Sequence, residues 1–278
     1  MKRLLSILST AVLLGTMILA SAVLPQAEKE ANLLAYYNFS DAEQLGKDIS
    51  GNKNHLTTQG AGTVTQADGP DAGTQSAVFD GSAVLAAEER DGRDFTDGLS
   101  SFTVSYYAQI GGNTEVARAV GSGYNGSQDG FSYILSKWED TIYVRPIVGD
   151  SPDGTTADAA DHWGNCYEIT GAAAWHHYVL AYDADAKKVT ALADGREIGS
   201  YVLTNTAHMN SVLCFALGGG WASWDTAPAN GFVGALAEVK VFDGAVTDLA
   251  VIDAAGRPAE SNEENAHLIA YYDFEESA

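Results

Sequence analysis

Aromatic side chains in glycine-rich stretches are the residues of this chain with the clearest chemical potential. Trp221 and Trp224 lie three positions apart after Gly218-Gly219-Gly220, so strand alternation cannot place both in a core. Trp163 and Tyr124 lie in similar polar stretches that contain glycine. Exposed aromatic rings stack on the apolar faces of sugars, while nearby polar groups bond to the hydroxyls. These four residues form a first predicted binding surface; the alternative is that the tryptophans fold back over the edge of the domain.

A second set of polar and aromatic side chains alternates with apolar ones along two predicted strands. Tyr107 points away from the apolar row of the strand at residues 101–108, and Tyr143 and Arg145 do so in the strand at 141–148. We expect these three side chains on the outward face of one sheet, the concave one. They are the second predicted binding surface; the alternative is ordinary cross-strand pairing on a solvated face.

Carboxylate spacing argues against catalysis by this domain. Retaining glucanases hold a nucleophile and an acid about 5 Å apart, from Glu-x-Asp-x-x-Glu or Glu-x-Asp-x-Glu on one strand. Glu88-Glu89 and Glu139-Asp140 are instead adjacent pairs, whose side chains point to opposite faces of a strand. Gly-x-Ser-x-Gly, His-Glu-x-x-His and phosphate-loop motifs are absent from the sequence. We therefore predict a non-catalytic domain.

The charge of the chain restricts its partners. The sequence has 15 Lys and Arg against 37 Asp and Glu, a net charge of −22. Such a surface repels phosphate backbones and anionic lipids, so we expect no nucleic-acid partner. The acidity suits a calcium ion, although solubility explains it equally well.

The N-terminus has the pattern of a signal peptide at residues 1–22. A basic Met1-Lys2-Arg3 precedes an apolar run from Leu4 to Leu19, and Ala20-Ser21-Ala22 provides a small-x-small cleavage site. The alternative is an uncleaved anchor, because the run is nearly long enough to span a bilayer. We expect a secreted or cell-surface protein without a membrane span after cleavage; its oligomeric state is left open.

One strand-like motif occurs twice. Residues 33–39 read LLAYYNF and residues 268–274 read LIAYYDF. Because the period is too long for a solenoid repeat, we predict one complete domain at 31–256, a polar linker at 257–266 and the start of a second similar domain at 267–278.

The two cysteines, Cys166 and Cys214, leave two readings open. Export permits one disulfide between them. Cys214 lies in the continuous apolar run 212–217, so a small buried thiol is the alternative.

Alternating apolar residues predict about a dozen strands and almost no helix, the pattern of an all-β, two-sheet antiparallel sandwich. Asp194-Gly195 predicts a hairpin between strands at 189–193 and 196–202, because this pair favours the positive φ of a two-residue turn. Thr247 is the expected cap of one short helical turn that ends near Asp253.

Seven segments in order resemble a laminin-G-like jelly-roll domain of the concanavalin A-like lectin/glucanase fold. They are 35–39 AYYNF, 48–52 DISGN, 78–81 VFDG, 101–105 SFTVS, 175–179 WHHYV, 193–195 ADG and 232–242 FVGALAEVKVF. The resemblance implies two curved antiparallel sheets, with the opening strand near Ala35 adjacent to the closing strand 238–242. It also implies that Trp175 and His177 are structural residues.

The resemblance implies one possible cofactor and a class of partner. Domains of this family often hold a structural calcium ion between the first and last strands, bound by backbone carbonyls and one acidic side chain. The resemblance makes Glu238 and Asp80 the candidates for that acidic ligand. The expected function is recognition of a glycan or glycoprotein within a larger protein. Two alternatives remain: an accessory domain of a downstream glycoside hydrolase, and an architectural spacer or adhesin with a protein partner.

Overall fold

The computed structural model describes residues 31–89, 93–112, 116–123, 129–150, 165–209, 213–222 and 225–256. All of them lie within the predicted domain at 31–256. The predicted signal peptide, the linker and the partial second repeat lie outside the described residues, so these assignments stay predictions.

Strands dominate the described part of the chain, as the alternating sequence pattern predicts. In chain order they are β1 (Asn32–Tyr37), β2 (Leu56–Gly60), β3 (Val64–Asp68), β4 (Gln75–Asp80), β5 (Ala83–Ala87), β6 (Phe102–Ile110), β7 (Arg118–Gly121), β8 (Phe131–Trp138), β9 (Thr141–Val148), β10 (Tyr167–Thr170), β11 (His176–Asp183), β12 (Lys188–Ala193), β13 (Arg196–Val202), β14 (Ala216–Leu217) and β15 (Val233–Asp243). A single short helix, α1 (Leu249–Ala254), follows them among the described residues.

The strands form two antiparallel sheets, which confirms the predicted sandwich. The eight-stranded sheet has the order β13-β12-β11-β6-β15-β4-β3, with β1 paired to β15. The seven-stranded sheet has the order β10-β9-β8-β7-β14-β5-β2. Some neighbouring strands are distant in sequence, as β6 and β15 are, so hydrogen bonds join early and late parts of the domain.

Two predicted pairings are confirmed. The opening strand β1 lies beside the closing strand β15, with Ala35 opposite Val241 and Tyr37 opposite Val239. The hairpin between β12 and β13 turns at Asp194 and Gly195, whose φ angles are 48° and 77°. Positive φ at both central residues is the requirement of a type I′ turn, which Asp-Gly meets at low cost.

The inner faces of the two sheets form the main core. Phe102, Val104 and Tyr106 of β6 lie in this core, as the alternation of the strand predicts. The Tyr106 ring stacks on Tyr178 at 5.5 Å and contacts Tyr133 of the opposite sheet edge-on at 5.3 Å. These contacts between large aromatic rings fix how the two sheets face each other.

A bulge in β15 corrects one prediction of facing. Strict alternation along residues 236–242 predicts that Ala237, Val239 and Val241 point inward, and Val239 and Val241 do lie in the core. Leu236, not Ala237, is the inward residue before them, because the pairing of β15 with β6 shifts register between Ala237 and Lys240. Glu238 has a φ of 51° in this bulge. Because a bulge adds one residue to a strand, the side chains before and after it follow opposite alternation patterns.

Helix α1 covers part of the outer face of the eight-stranded sheet. Its buried Ile252 packs with Val179 and Phe242. Asp248, not the predicted Thr247, is the N-cap, since its carboxylate accepts from the Ala250 N–H at 2.9 Å. Within the described residues, no helix has the length and apolar character needed to cross a membrane.

Candidate functional site

The outward face of the seven-stranded sheet carries an exposed tryptophan that the sequence analysis did not select. In β8, Phe131, Tyr133 and Leu135 face the core, so alternation turns Ser136 and Trp138 outward. Trp138 is 69% exposed, the highest value among the large apolar side chains described. Trp138 is therefore exposed on a strand whose position is fixed by hydrogen bonds to the neighbouring strands.

Strand register assembles polar and aromatic side chains around Trp138. On β9, Thr141 lies opposite Trp138 and Tyr143 opposite Ser136, which makes Tyr143 the diagonal neighbour of Trp138. Diagonal neighbours lie about 7–8 Å apart, within reach of aromatic side chains. On β10, Glu168 lies opposite Tyr143. We call Trp138, Thr141, Tyr143, Arg145 and Glu168 the open surface.

Arg145 is held in place on this surface. Its Nη1 donates to the Ser136 Oγ at 3.3 Å, and its side chain is half-buried. Burial raises the pKa of the nearby Cys166 thiol, an effect that the Arg145 charge opposes and the Glu168 charge reinforces. Three adjacent strands thus carry the Arg145 guanidinium, the Glu168 carboxylate and the rings of Trp138 and Tyr143 on one face.

Trp221 lies at the opposite end of the same sheet face and is buried. It is 7% exposed and packs with Val84, Ala86 and Cys214. Its backbone carbonyl accepts from the Cys214 N–H at 2.9 Å. The prediction that Trp221 is an exposed binding residue is wrong: it is a lid over the sheet, the alternative reading from the sequence. Trp224, Trp163 and Tyr124 lie outside the described residues, so their role stays a prediction.

A buried arginine lies between the two ends of this face. Arg118 of β7 is opposite Ile134 of β8 and is completely inaccessible to solvent. A Cβ on Gly220 would lie 2.1 Å from the Arg118 Nη1, so the guanidinium packs directly under a glycine backbone. Burial lowers the pKa of Arg118 to about 10, which keeps the group charged at neutral pH.

Tyr107 does not belong to this surface. It lies on β6 of the eight-stranded sheet, whereas Tyr143 and Arg145 lie on β9 of the other sheet. The predicted single row is therefore wrong, because the two strands belong to different layers. The Tyr107 ring stacks on the buried His177 at 4.5 Å, and the His177 Nε2 pairs with the Ser105 Oγ at 2.7 Å. Burial lowers the pKa of His177, in keeping with its structural role.

Glu238 and Asp80, the two candidate calcium ligands, lie apart. Asp80 is opposite Val233 of β15, five residues from Glu238, which corresponds to roughly 16 Å of strand. Glu238 accepts the Tyr36 hydroxyl, and Asp80 accepts the N–H and hydroxyl of Ser82, each at 2.8 Å.

These two carboxylates therefore do not fit a shared ion. Among the described residues, no group of three or more His, Cys, Asp or Glu could hold a metal ion. A calcium ion bound by one of these carboxylates together with backbone carbonyls stays a prediction, tested by whether a chelator lowers the Tm.

Cys166 and Cys214 are both free thiols in the structure, which matches the alternative to a disulfide. The Cys214 thiol lies 3.4 Å from the Glu89 carboxylate and donates to it. Burial, and then the neighbouring Glu89, raise the Cys214 pKa to about 12. Cys214 is therefore a neutral, buried packing residue.

The comparison with family models supports the resemblance seen in the sequence. The model Laminin_G_3, described as the concanavalin A-like lectin/glucanases superfamily, matches residues 70–251. The chain belongs to this superfamily. The comparison with curated proteins finds no significant match.

Two solved structures show the same fold at low sequence identity. One is domain 4 of AbnA, a GH43 extracellular arabinanase from Geobacillus stearothermophilus, in complex with arabinotriose; it is 22% identical, with a TM-score of 0.54, over 82% of this chain and 100% of that chain. The other is the binding domain of Paraclostridial Mosquitocidal Protein 1, 14% identical with a TM-score of 0.51, over 81% of this chain and 52% of that chain. Both likenesses confirm the sandwich fold of this superfamily member.

Proposed function

We propose that this superfamily member is a non-catalytic glycan-binding module of an exported protein, and that the open surface binds the glycan. The observation that carries the proposal is Trp138, a tryptophan that is 69% exposed on a paired strand. A solvated tryptophan face is costly unless a partner covers it, and an apolar sugar face is a suitable partner.

The neighbours of Trp138 supply what a sugar needs besides stacking. Arg145 offers several N–H donors in a fixed plane, and Glu168 offers acceptor oxygens for hydroxyl groups. Thr141 and Tyr143 add hydroxyl groups that both donate and accept. Because paired strands hold these residues, little conformational entropy is lost when a ligand binds.

The comparisons support a glycan as the class of ligand. The superfamily includes lectins, and domain 4 of the arabinanase was solved with arabinotriose bound. The signal-peptide pattern at residues 1–22 supports export. The same domain serves an accessory role if a glycoside hydrolase lies elsewhere in the protein; absence of glycan binding favours the spacer or adhesin.

Replacing Trp138 tests the proposal. A glycan array identifies ligands of the wild-type domain, and calorimetry then compares variants. We expect Trp138→Ala to lose roughly 2 kcal/mol of binding, about thirtyfold in Kd, the scale of a central aromatic contact.

Val202→Ala is the matched control, since Val202 is an apolar residue, 67% exposed, on β13 of the other sheet. Its Kd should equal that of the wild type. A glycan ligand whose Kd is unchanged by Trp138→Ala would exclude the open surface, and binding to no glycan would exclude the function.

A further inference from the structure

A cavity of about 680 Å³ lies at the mouth of the sandwich, beside the open surface. Its lining comes mainly from β10 and β13, which are edge strands of the two different sheets. Thr141 of β9, His176 of β11 and the Ala193-Asp194 end of the β12–β13 hairpin complete it. The volume falls within the range of ligand-binding clefts, about 300–1,000 Å³. None of the site residues predicted from the sequence lines this cavity, and the proposed function uses only Thr141 and Glu168 of its lining.

The inner part of the cavity is apolar and is closed at one end. Ile169 and Ile198 are partly buried and pack against the main core. One step further along the strands, the Tyr167 ring lies against Gly199, where a Cβ would come within 2.0 Å of the ring. The two edge strands therefore touch at Tyr167 and open only beyond it.

Hydrogen bonds fix the positions of the polar groups in and next to the cavity wall. The His176 Nδ1 pairs with an Asp194 carboxylate oxygen at 2.7 Å, and its Nε2 lies 3.0 Å from the Gly171 carbonyl oxygen. The other Asp194 oxygen accepts from the His177 N–H at 2.9 Å. The Gly171 N–H donates to the Asp140 carbonyl at 3.0 Å. Asp140 belongs to the turn that follows Trp138, so one chain of bonds links the open surface to the Asp194 turn.

The cavity and the open surface share residues. Thr141 and Glu168 belong to both, and Thr170 lines the cavity opposite Thr141. Trp138, Thr141 and Thr170 therefore form a row across three adjacent strands. With strands about 4.8 Å apart, this row is roughly 10 Å long and runs perpendicular to the strands into the cavity.

We propose that the cavity is a second subsite for the ligand of the open surface, and that this ligand is a linear, uncharged oligosaccharide longer than a disaccharide. One sugar stacks on Trp138, and a later sugar of the same chain occupies the cavity, where Arg196 and Glu168 bond to its hydroxyls. This inference rests on the proposed function.

Charge disfavours an acidic ligand at the second subsite. The cavity lining has two carboxylates, Glu168 and Asp194, against the guanidinium of Arg196, and the chain has a net charge of −22. A uronic acid or a sulfated sugar would meet like charges at close range. Hydroxyl groups donate to the carboxylates and accept from the guanidinium without this cost.

A chain-length series tests the inference. The probes are xylo-, cello- and arabino-oligosaccharides from the monosaccharide to the hexasaccharide, titrated by calorimetry into the wild-type domain. We expect the Kd of the recognised series to fall by about tenfold or more beyond the disaccharide, because the second contact becomes intramolecular. Arg196→Ala should remove most of this gain and leave the Kd of the shortest binding sugar unchanged.

Matched controls lie on the neighbouring strand positions. Lys188→Ala and Glu197→Gln change an exposed charge pair whose atoms are 4.0 Å apart and which does not line the cavity. Both should keep the full gain with chain length.

Four outcomes overturn one or both proposals. A gain that survives in Arg196→Ala overturns the second subsite, as does a Kd independent of chain length. Trp138-dependent binding would then still support the proposed function. Absence of binding by every oligosaccharide, with no hit on the glycan array, overturns both. A preference for acidic sugars, shown by tighter binding of glucuronate- or galacturonate-containing oligomers, overturns the assigned ligand class.

Discussion

A tryptophan lies at each end of the outward face of the seven-stranded sheet. One is buried and the other is exposed. At the β5–β14 end, Trp221 is 7% exposed and packs on Val84, Ala86 and Ala216. At the β8–β10 end, Trp138 is 69% exposed beside Thr141 and Tyr143. The residue type is the same; the difference is whether another segment of the chain covers the sheet.

The difference shows what decides the role of an aromatic residue in this fold. Trp221 follows a run of glycines that lets its segment lie flat on the sheet, close enough for Gly220 to touch the Arg118 guanidinium. Trp138 ends a strand that turns back through two residues, Glu139 and Asp140. Such a tight turn leaves no spare chain to cover the ring. One end of the face is therefore structural, and the other is available for binding.

The strongest test of this comparison is the removal of the buried ring. Trp221→Ala leaves a cavity against an apolar cluster, so we expect a loss of about 3–5 kcal/mol in the free energy of unfolding. Urea denaturation followed by circular dichroism measures it. A loss below about 1 kcal/mol would show that Trp221 is not packed against the apolar cluster, which contradicts its contrast with Trp138.

The two thiols provide a second test, since Cys214 lies at the covered end and Cys166 beside the open surface. Burial raises the pKa of Cys214 from its ordinary 9.0 to about 12. At any pH below 9, the thiolate fraction of Cys214 is therefore about a thousandfold smaller than that of a thiol with the ordinary pKa. The thiolate is the reactive form.

Alkylation of the native protein by iodoacetamide should therefore label Cys166 well before Cys214. The Cys214 rate should keep rising with pH to about 12 for as long as the fold persists. Mass spectrometry of peptides reads both sites. Equal rates at the two cysteines, or a disulfide in the purified protein, would contradict the structure.

The smallest expected effect concerns the stability of the Trp138→Ala variant. An exposed side chain contributes little to folding, so the free energy of unfolding should change by no more than about 0.5 kcal/mol. The same urea experiment provides the value, with Val202→Ala as the reference. A loss comparable to that of Trp221→Ala would show that Trp138 is a packing residue, and the open surface would lose its central group.

Local sequence patterns predict much of the fold. Period-two alternation in residues 101–108 correctly assigned Phe102, Val104 and Tyr106 to the core, because facing within one strand depends only on the pleat. The Asp194-Gly195 hairpin was predictable for a similar reason, since the turn needs positive φ at two adjacent residues. The order of seven weak motifs indicated the family, which the family model matches at residues 70–251.

The failed predictions of exposure, layer and facing needed information from outside the segment. Nothing within residues 218–221 shows that the segment lies on the outer face of β5 and β14, so the exposure of Trp221 was misjudged. Tyr107 and Tyr143 both alternate outward, but the layer to which each strand belongs depends on pairing with distant strands. The bulge at Glu238 shifted the facing of Leu236 in the same way.

The composition of the strands, the inward rows, the tight turns and the class of fold could be read from the amino-acid order, because they follow from each residue's own geometry and from contacts a few positions away. Which outward residues meet depends instead on how the strands pair. The alternation of β8 and its Trp138-Glu139-Asp140 end were visible in the sequence, but the register of β8, β9 and β10 brings Trp138 together with Tyr143 and Glu168. Exposure depends on what covers a surface, and that is a property of the whole packed chain.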